Sequence, residues 1–281
     1  MKVFVTGGSS PLGEVVVPKL SERMEVHGLA RSPLAAERLI REGAAAVVRG
    51  ELETPGAWLS TARAADAVVH LAGMRFVDVL IRQLDVEQPL TVVGSASVHN
   101  PAHADSAWLR AGEQRLMAMK RDGLVILRPT MIYGSSRDRN IRLLARLITK
   151  LPAVPRLTGG GLIQPVLVDD VADAIVTTVG ARFLSVDVGG PVPIRLGALV
   201  AELARLLERR VAPVPVSVDL LARIARLVSD QRPSRAIHAL AMLRHDRVVA
   251  PMAPEVLGHS PTPLSQGLRL ALDRYGLVHA R

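Results

Sequence analysis

The 281-residue chain contains no cysteine, which excludes disulfides and thiolate chemistry. Aromatic residues make up only 2% of it, so alanine, valine, leucine and isoleucine must do most of the packing. Lysine occurs only at Lys2, Lys19, Lys120 and Lys150, and arginine carries nearly all the positive charge behind a net +9. The arginines are scattered at helical spacing among apolar residues, as in Arg142 with Arg146 and Arg223 with Arg226. No basic cluster is interleaved with aromatics, so solvated helix faces account for most of the charge and no nucleic-acid partner is expected. An uncharged apolar run of roughly 18 residues is also missing, and the N-terminus enters a strand directly. Neither a membrane span nor a signal peptide is therefore expected, and the chain reads as cytoplasmic.

What is present is an apolar content of 49%, enough for a real core in one large domain or in a nucleotide domain with a smaller lobe. The chain opens Lys2-Val3-Phe4-Val5-Thr6-Gly7-Gly8-Ser9-Ser10-Pro11-Leu12-Gly13, a short β-type run that stops at a glycine-rich turn. A helical pattern follows from Glu14 to Leu20. Such a turn aims backbone N–H groups and a helix N-terminus at a pyrophosphate, so a dinucleotide is the expected ligand. Strands are predicted at 2–6, 25–29, 45–49, 66–71, 90–95 and 124–128, and helices near 11–22, 33–42, 55–64, 75–84 and 106–121. This alternation predicts an α/β fold, a doubly wound parallel sheet covered on both faces. Ligands of such sheets bind beyond the carboxyl ends of the strands, so the segments after Val5, Leu29, Leu71, Val93 and Leu127 should ring one crevice.

Past residue 133 the pattern predicts a helix near 136–150, a strand at 162–167, a helix at 168–180, a strand at 183–187, and then helices broken by prolines. The expected division is a Rossmann-type core of 1–133, to which 162–190 returns, and a smaller, helix-rich substrate lobe of 134–161 and 191–281 closing over the crevice. Met131, Met242 and Met252 could line an apolar pocket there or simply fill a core.

Five motifs in order carry a family resemblance: Val5-Thr6-Gly7 with Gly13; Val69-His70-Leu71-Ala72-Gly73; Gly94-Ser95-Ala96-Ser97-Val98; Leu127-Arg128-Pro129-Thr130-Met131-Ile132-Tyr133-Gly134; and Gln164-Pro165-Val166-Leu167-Val168-Asp169-Asp170-Val171. Over at least residues 1–190 the chain resembles the extended and atypical short-chain dehydrogenases/reductases, the NAD(P)-dependent epimerase/dehydratase group. The resemblance implies a nicotinamide dinucleotide on the turn formed by Gly7, Ser9, Ser10, Pro11, Leu12 and Gly13. It places Glu51 and Leu52 at the adenine, Leu71, Ala72 and Gly73 along the ribose, and Pro129, Thr130, Met131 and Ile132 beside the nicotinamide. Ser10 stands where the family usually has glycine, and its hydroxyl could bond a phosphate oxygen. At the end of the second strand an NAD site would place a carboxylate, whereas this chain has Arg31. Arginine suits a 2′-phosphate and Ser32 adds a neutral donor, so NADPH is expected over NADH. The plainer reading of Arg31 is a solvated arginine at a helix start.

The family's usual catalysis needs a serine, a tyrosine and a lysine one helical turn further on. Ser95 aligns with the serine, to position a carbonyl. Aligned on Gly112-Glu113, the tyrosine position is Asp105 and the lysine position is Leu109. An ionised aspartate is a poor proton donor near neutral pH, and leucine cannot replace an ammonium. Acid catalysis worth about 10²–10⁴-fold must then come from elsewhere. In one reading a phenol beside the ketone supplies the proton, as the resemblance to atypical polyketide ketoreductases implies. The expected activity is then NADPH-dependent reduction of a polycyclic aromatic polyketide ketone in antibiotic biosynthesis. In a second, His99 or Tyr133 serves a sugar-nucleotide or small-molecule epimerase/reductase. In a third, the chain is a non-catalytic NADPH-binding sensor or scaffold. A small-molecule substrate, no metal, no membrane, and a monomer or homodimer complete the expectation.

Overall fold

A computed structural model describes residues 1–101, 103, 105–218, 248–250 and 252–278. In chain order it contains β1 (Lys2–Thr6), α1 (Gly13–Ser21), β2 (Glu25–Ala30), α2 (Pro33–Arg41), β3 (Ala46–Arg49), α3 (Trp58–Arg63) and β4 (Ala67–His70). Next come α4 (Val77–Gln83), β5 (Leu90–Val93), α5 (Ser106–Ala118), β6 (Leu124–Pro129), β7 (Met131–Tyr133), α6 (Ile141–Lys150), β8 (Val154–Thr158), β9 (Leu162–Ile163) and β10 (Pro165–Leu167). The remainder is α7 (Val168–Thr178), β11 (Leu184–Val188), β12 (Ile194–Arg195), α8 (Leu196–Leu206), β13 (Val211–Ser217), α9 (Pro254–Leu257) and α10 (Leu264–Arg274). Met242 and the helices expected over 219–247 lie outside the described residues.

Two compact units emerge. The first joins Met1–Pro129, Val168–Val188 and Met252–Pro261. It is a Rossmann-like α/β unit with a seven-stranded sheet in the order β11-β6-β5-β4-β1-β2-β3, parallel throughout. Strands buried on both faces need unbroken apolar runs, and Leu124–Pro129 is buried at every position. Register pairs Phe4 with Val68, Val68 with Leu90, Leu90 with Leu124, and Val92 with Ile126. Because side chains alternate faces, these residues share one face, where they pack with Trp58, Leu80 and Leu116 of α3, α4 and α5. On the other face Leu39 of α2 packs on Gly28, where a Cβ would sit 2.9 Å from the leucine. Lys19 of α1 donates to Asp173 of α7 at 2.6 Å.

The second unit comprises Thr130–Leu167, Gly189–Pro251 and Thr262–Arg281. Residues 130–133 and 162–167, expected with the nucleotide core, group here, whereas 252–261 group with the first unit. Met252 and Leu257 are accordingly buried, and the Leu257 carbonyl accepts from Thr177 of α7. The expected strand at 162–167 is broken at Gln164. Its buried amide donates to the Gly190 carbonyl at 2.7 Å and accepts from Val249 N at 2.9 Å. The halves then pair separately, β9 with β12 and β10 with β7. Strands β8 and β13, not expected from the sequence, pair in parallel although they contain Pro155 and Pro215. A two-stranded ladder leaves each strand an open edge, where a proline without an N–H is tolerated. Helices α6, α8 and α10 bury Ile141, Ile148, Leu199, Leu203, Leu268 and Leu272 in this unit's core.

With so few aromatics, the stacked pair Phe4 and Trp58, 6.3 Å between centroids, fills volume that aliphatics would otherwise need. Phe4→Ala should destabilise the protein by about 3–5 kcal/mol. Urea unfolding followed by Trp fluorescence measures this, and a loss below about 1 kcal/mol would show that the core collapses around the gap.

Candidate functional site

The glycine-rich turn after β1 is built by close backbone approach. Gly7 has φ +73°, and a Cβ on it would lie 2.5 Å from Ala72 N. A Cβ on Gly13 would lie 1.8 Å from the Gly8 carbonyl oxygen. Neither position can carry a side chain without moving backbone. Ser10 N donates to the Gly7 carbonyl at 2.9 Å, and Ser10 Oγ accepts from Gly13 N at 3.1 Å. The Ser10 oxygen thus satisfies the first N–H of α1.

Beneath this turn lies a buried histidine. His70 Nε2 is 2.9 Å from the Gly73 carbonyl, which can only accept, so Nε2 carries the proton. Nδ1 then accepts from Thr6 Oγ1 at 2.6 Å. The imidazole ties β1 to β4 and holds the Gly73 carbonyl, with Gly73 at φ +95°. Burial disfavours its cation and pushes its pKa down to about 4.

Beyond the carboxyl ends of the strands an open cavity of about 230 Å³ is lined by Gly7, Ser9, Ser10, Leu29, Arg31 and Leu52, with Glu53, Leu71, Ala72, Arg75 and Phe76 completing the wall. Seven of the residues singled out in the sequence therefore meet here: Gly7, Ser9, Ser10, Arg31, Leu52, Leu71 and Ala72. Others do not line it. Gly13 is buried under the turn, and Pro11 is exposed. Ser32 caps α2, accepting from Ala35 N at 3.3 Å. Glu51 is exposed, and Glu53, two residues on, lines the cavity instead. Pro129 closes β6. Thr130, Met131 and Ile132 belong to the second unit, where Thr130 Oγ1 donates to the Gln164 carbonyl and β7 pairs with β10. Sequence reasoning missed Glu53, Arg75 and Phe76; their place just past the ends of β3 and β4 was the available signal.

A second cluster follows β5 in the same unit. Ser95 Oγ accepts from Ser97 N at 3.2 Å, closing a short 3₁₀ turn that ends at His99. His99, half exposed, places Nε2 2.9 Å from Asp187 Oδ1 on β11. Nε2 therefore carries a proton, and Nδ1 is the ring's other basic position. Arg128 lies 3.8 Å from the same Asp187 oxygen and 2.8 Å from the buried Glu113 carboxylate. It also donates to Ser185 Oγ at 2.6 Å. The register places Asp187 opposite Arg128, a pairing with no signal in the linear sequence.

At the position of the family's tyrosine, Asp105 accepts from Trp108 Nε1 at 2.9 Å. At the lysine position, Leu109 is buried in the hydrophobic core. The two tyrosines are structural in the second unit. Tyr133 is 2% exposed, and its hydroxyl would lie 2.2 Å from a Cβ at Gly267. Tyr275 donates to Asp138 at 2.6 Å and accepts from Gly134 N. Burial, then Asp138, raises its pKa well above the usual phenol range.

No protein-family model matches the chain, and no curated protein is similar to it in sequence. Solved structures do share its fold. The protein gox2253 superposes with a TM-score of 0.73 at 18% identity, over 98% of this chain and 97% of that one. A nucleoside-diphosphate-sugar epimerase from Staphylococcus aureus gives 0.73 at 15%, over 96% and 100%. The UDP-glucose 4-epimerase of Thermus thermophilus, solved with NAD, gives 0.69 at 18%, over 98% and 99%. The likeness shows that the described residues share the Rossmann-like α/β fold of these epimerase structures. Among the described residues no helix is long and apolar enough to cross a membrane.

The buried His70 makes stability depend on pH. The unfolded imidazole titrates near 6.5 and the folded one near 4, so the unfolded state binds more protons between those values. Stability is fully present above about pH 6.5 and falls as pH drops toward 4, by about 3 kcal/mol in all. Urea unfolding of wild type and His70→Gln across pH 4–7.5 should show a difference that shrinks as pH falls. A pH-independent difference would contradict the assignment.

Proposed function

We propose that the protein is an NADP(H)-dependent reductase or epimerase acting on a small carbonyl or hydroxyl compound, with His99 in place of the missing tyrosine. The observation that carries this reading is the cavity at the strand ends, lined by the Gly7–Ser10 turn on one side and Arg31 on another. The residues fit a dinucleotide: Gly7, Ser9 and Ser10 of the turn line the cavity, and the turn leads into the nine-residue helix α1, whose N-terminus suits a pyrophosphate. Arg31 supplies a cation where an NAD site would have a carboxylate. The epimerase structures of like fold that contain NAD support the nicotinamide class.

When bound, the dinucleotide supplies hydride chemistry. The chain must place the carbonyl and provide the proton that its oxygen takes up. Ser95 keeps an O–H donor to offer that oxygen. His99 is held at Nε2 by Asp187, so its imidazolium would give the proton from Nδ1 and be reprotonated from solvent, to which it is exposed. Arg128, paired with the buried Glu113, keeps Asp187 in place. Tyr133 and Tyr275 are buried away from such a role.

A second reading keeps the same cofactor but takes the substrate as a polycyclic aromatic polyketide ketone whose neighbouring phenol gives the proton. It is favoured by the fates of Asp105 and Leu109, one bonded to Trp108 and the other in the core, which leave the usual donor helix without an acid. NADPH oxidation should be followed with nucleotide sugars, simple ketones and aromatic ketones with and without an adjacent phenol. His99→Gln should lower turnover by about 10²–10⁴-fold with NADPH affinity unchanged. Turnover that survives the substitution and requires the phenol favours the second reading. NADPH binding without turnover on any compound would mark a non-catalytic binding protein. Arg31→Ala should weaken NADPH by about 10-fold and NADH by much less; equal effects would refute the 2′-phosphate role.

A further inference from the structure

Arg75 lies in the turn between β4 and α4, outside every motif of the resemblance. Its guanidinium sits over the Phe76 ring, 4.5 Å from the centroid, and both residues line the same cavity as Arg31. Neither Arg31 nor Arg75 forms an ion pair among the described residues. The sheet order β4-β1-β2 puts the two arginines on opposite flanks of the phosphate turn. One carboxylate, Glu53, shares the wall, so the two guanidiniums leave the cavity with an excess positive charge.

Resting on the dinucleotide reading above, we propose that Arg75 is a second specificity residue of the cofactor site, bracketing the 2′-phosphate of NADP(H) together with Arg31. The argument is one of elimination within the cavity. Backbone amides of the turn and the N-terminus of α1 would meet the pyrophosphate. The flat and apolar part of the wall, made by Phe76, Leu52 and Leu29, is suited to a purine base. A guanidinium stacked on Phe76 is therefore held at the adenine end. The further anion that an NADP-type ligand places there is the 2′-phosphate. Stacking on the ring limits the rotamers of Arg75, so less freedom is lost when it meets the phosphate. Glu53 opposes an anion at this end, which makes one cation a weak discriminator and two an effective pair.

The test is equilibrium binding of NADPH and NADH to the full chain, with adenosine 2′,5′-bisphosphate and ADP as competitors. Arg75→Ala should weaken NADPH and the 2′,5′-bisphosphate by about 10-fold while changing NADH and ADP by less than about 3-fold. Arg75→Lys should recover only part of the loss, because the ammonium keeps the charge but not the planar stack. Arg31→Ala combined with Arg75→Ala should remove the preference for NADPH that either single variant still shows. Equal weakening of all four ligands, or no change in any, would overturn the assignment. If the wild type binds neither dinucleotide, the dinucleotide reading itself fails, a result distinct from normal binding that ignores Arg75.

Discussion

The first unit depends on how closely its first turn approaches the end of β4. A Cβ at Gly7 would collide with the Ala72 backbone at 2.5 Å, so only glycine lets the two segments meet. Thr6 and His70, paired in register across β1 and β4, hold that junction from below through a 2.6 Å bond. The other ring nitrogen secures Gly73, whose positive φ turns the chain toward α4. Leu71 and Ala72 thereby become cavity wall, and Arg75 and Phe76 are delivered to its rim. A neutral imidazole is required, since a cation there would have to lose its hydration with no anion among its two bonding partners.

Hydroxyl groups and cations have different fates at this site. The oxygens of Ser10, Ser32 and Ser95 each accept a backbone N–H within three residues, at the start of a helix or a 3₁₀ turn. Short polar side chains favour such local bonds, which compete with any role as ligand acceptors. Arg31 and Arg75 form no ion pair among the described residues, and both line the cavity.

The positions of the usual tyrosine and lysine are not vacant; they have been given to packing and capping. Leu109 adds to the core beneath α5, and Asp105 bonds Trp108 at the helix start. Charge near the sheet end is concentrated instead in Arg128, Glu113 and Asp187, with His99 at the exposed edge of that network. A buried Arg–carboxylate pair is costly to break, because either partner alone would be an uncompensated charge. It therefore makes a rigid base for the half-exposed imidazole.

The sequence by itself determined the alternation of strands and helices through residue 129, the glycine-rich turn after β1, Arg31 at the end of β2, and aspartate and leucine at positions 105 and 109. These are local patterns: apolar runs, glycines where backbone must approach backbone, and residue types at fixed spacing. Only the tertiary structure decided which residues share a wall. Glu53 rather than Glu51 faces the cavity, Asp187 meets His99 across 88 positions, and Gln164 breaks an apparent strand by bonding residues far along the chain. Strands β8 and β13 likewise pair with each other although both contain proline, and β8 is held further by Val154 in the second unit's core. The physical reason is the same in each case. A side chain's direction and partner are set by the register and crossing of distant elements, which a linear pattern does not contain.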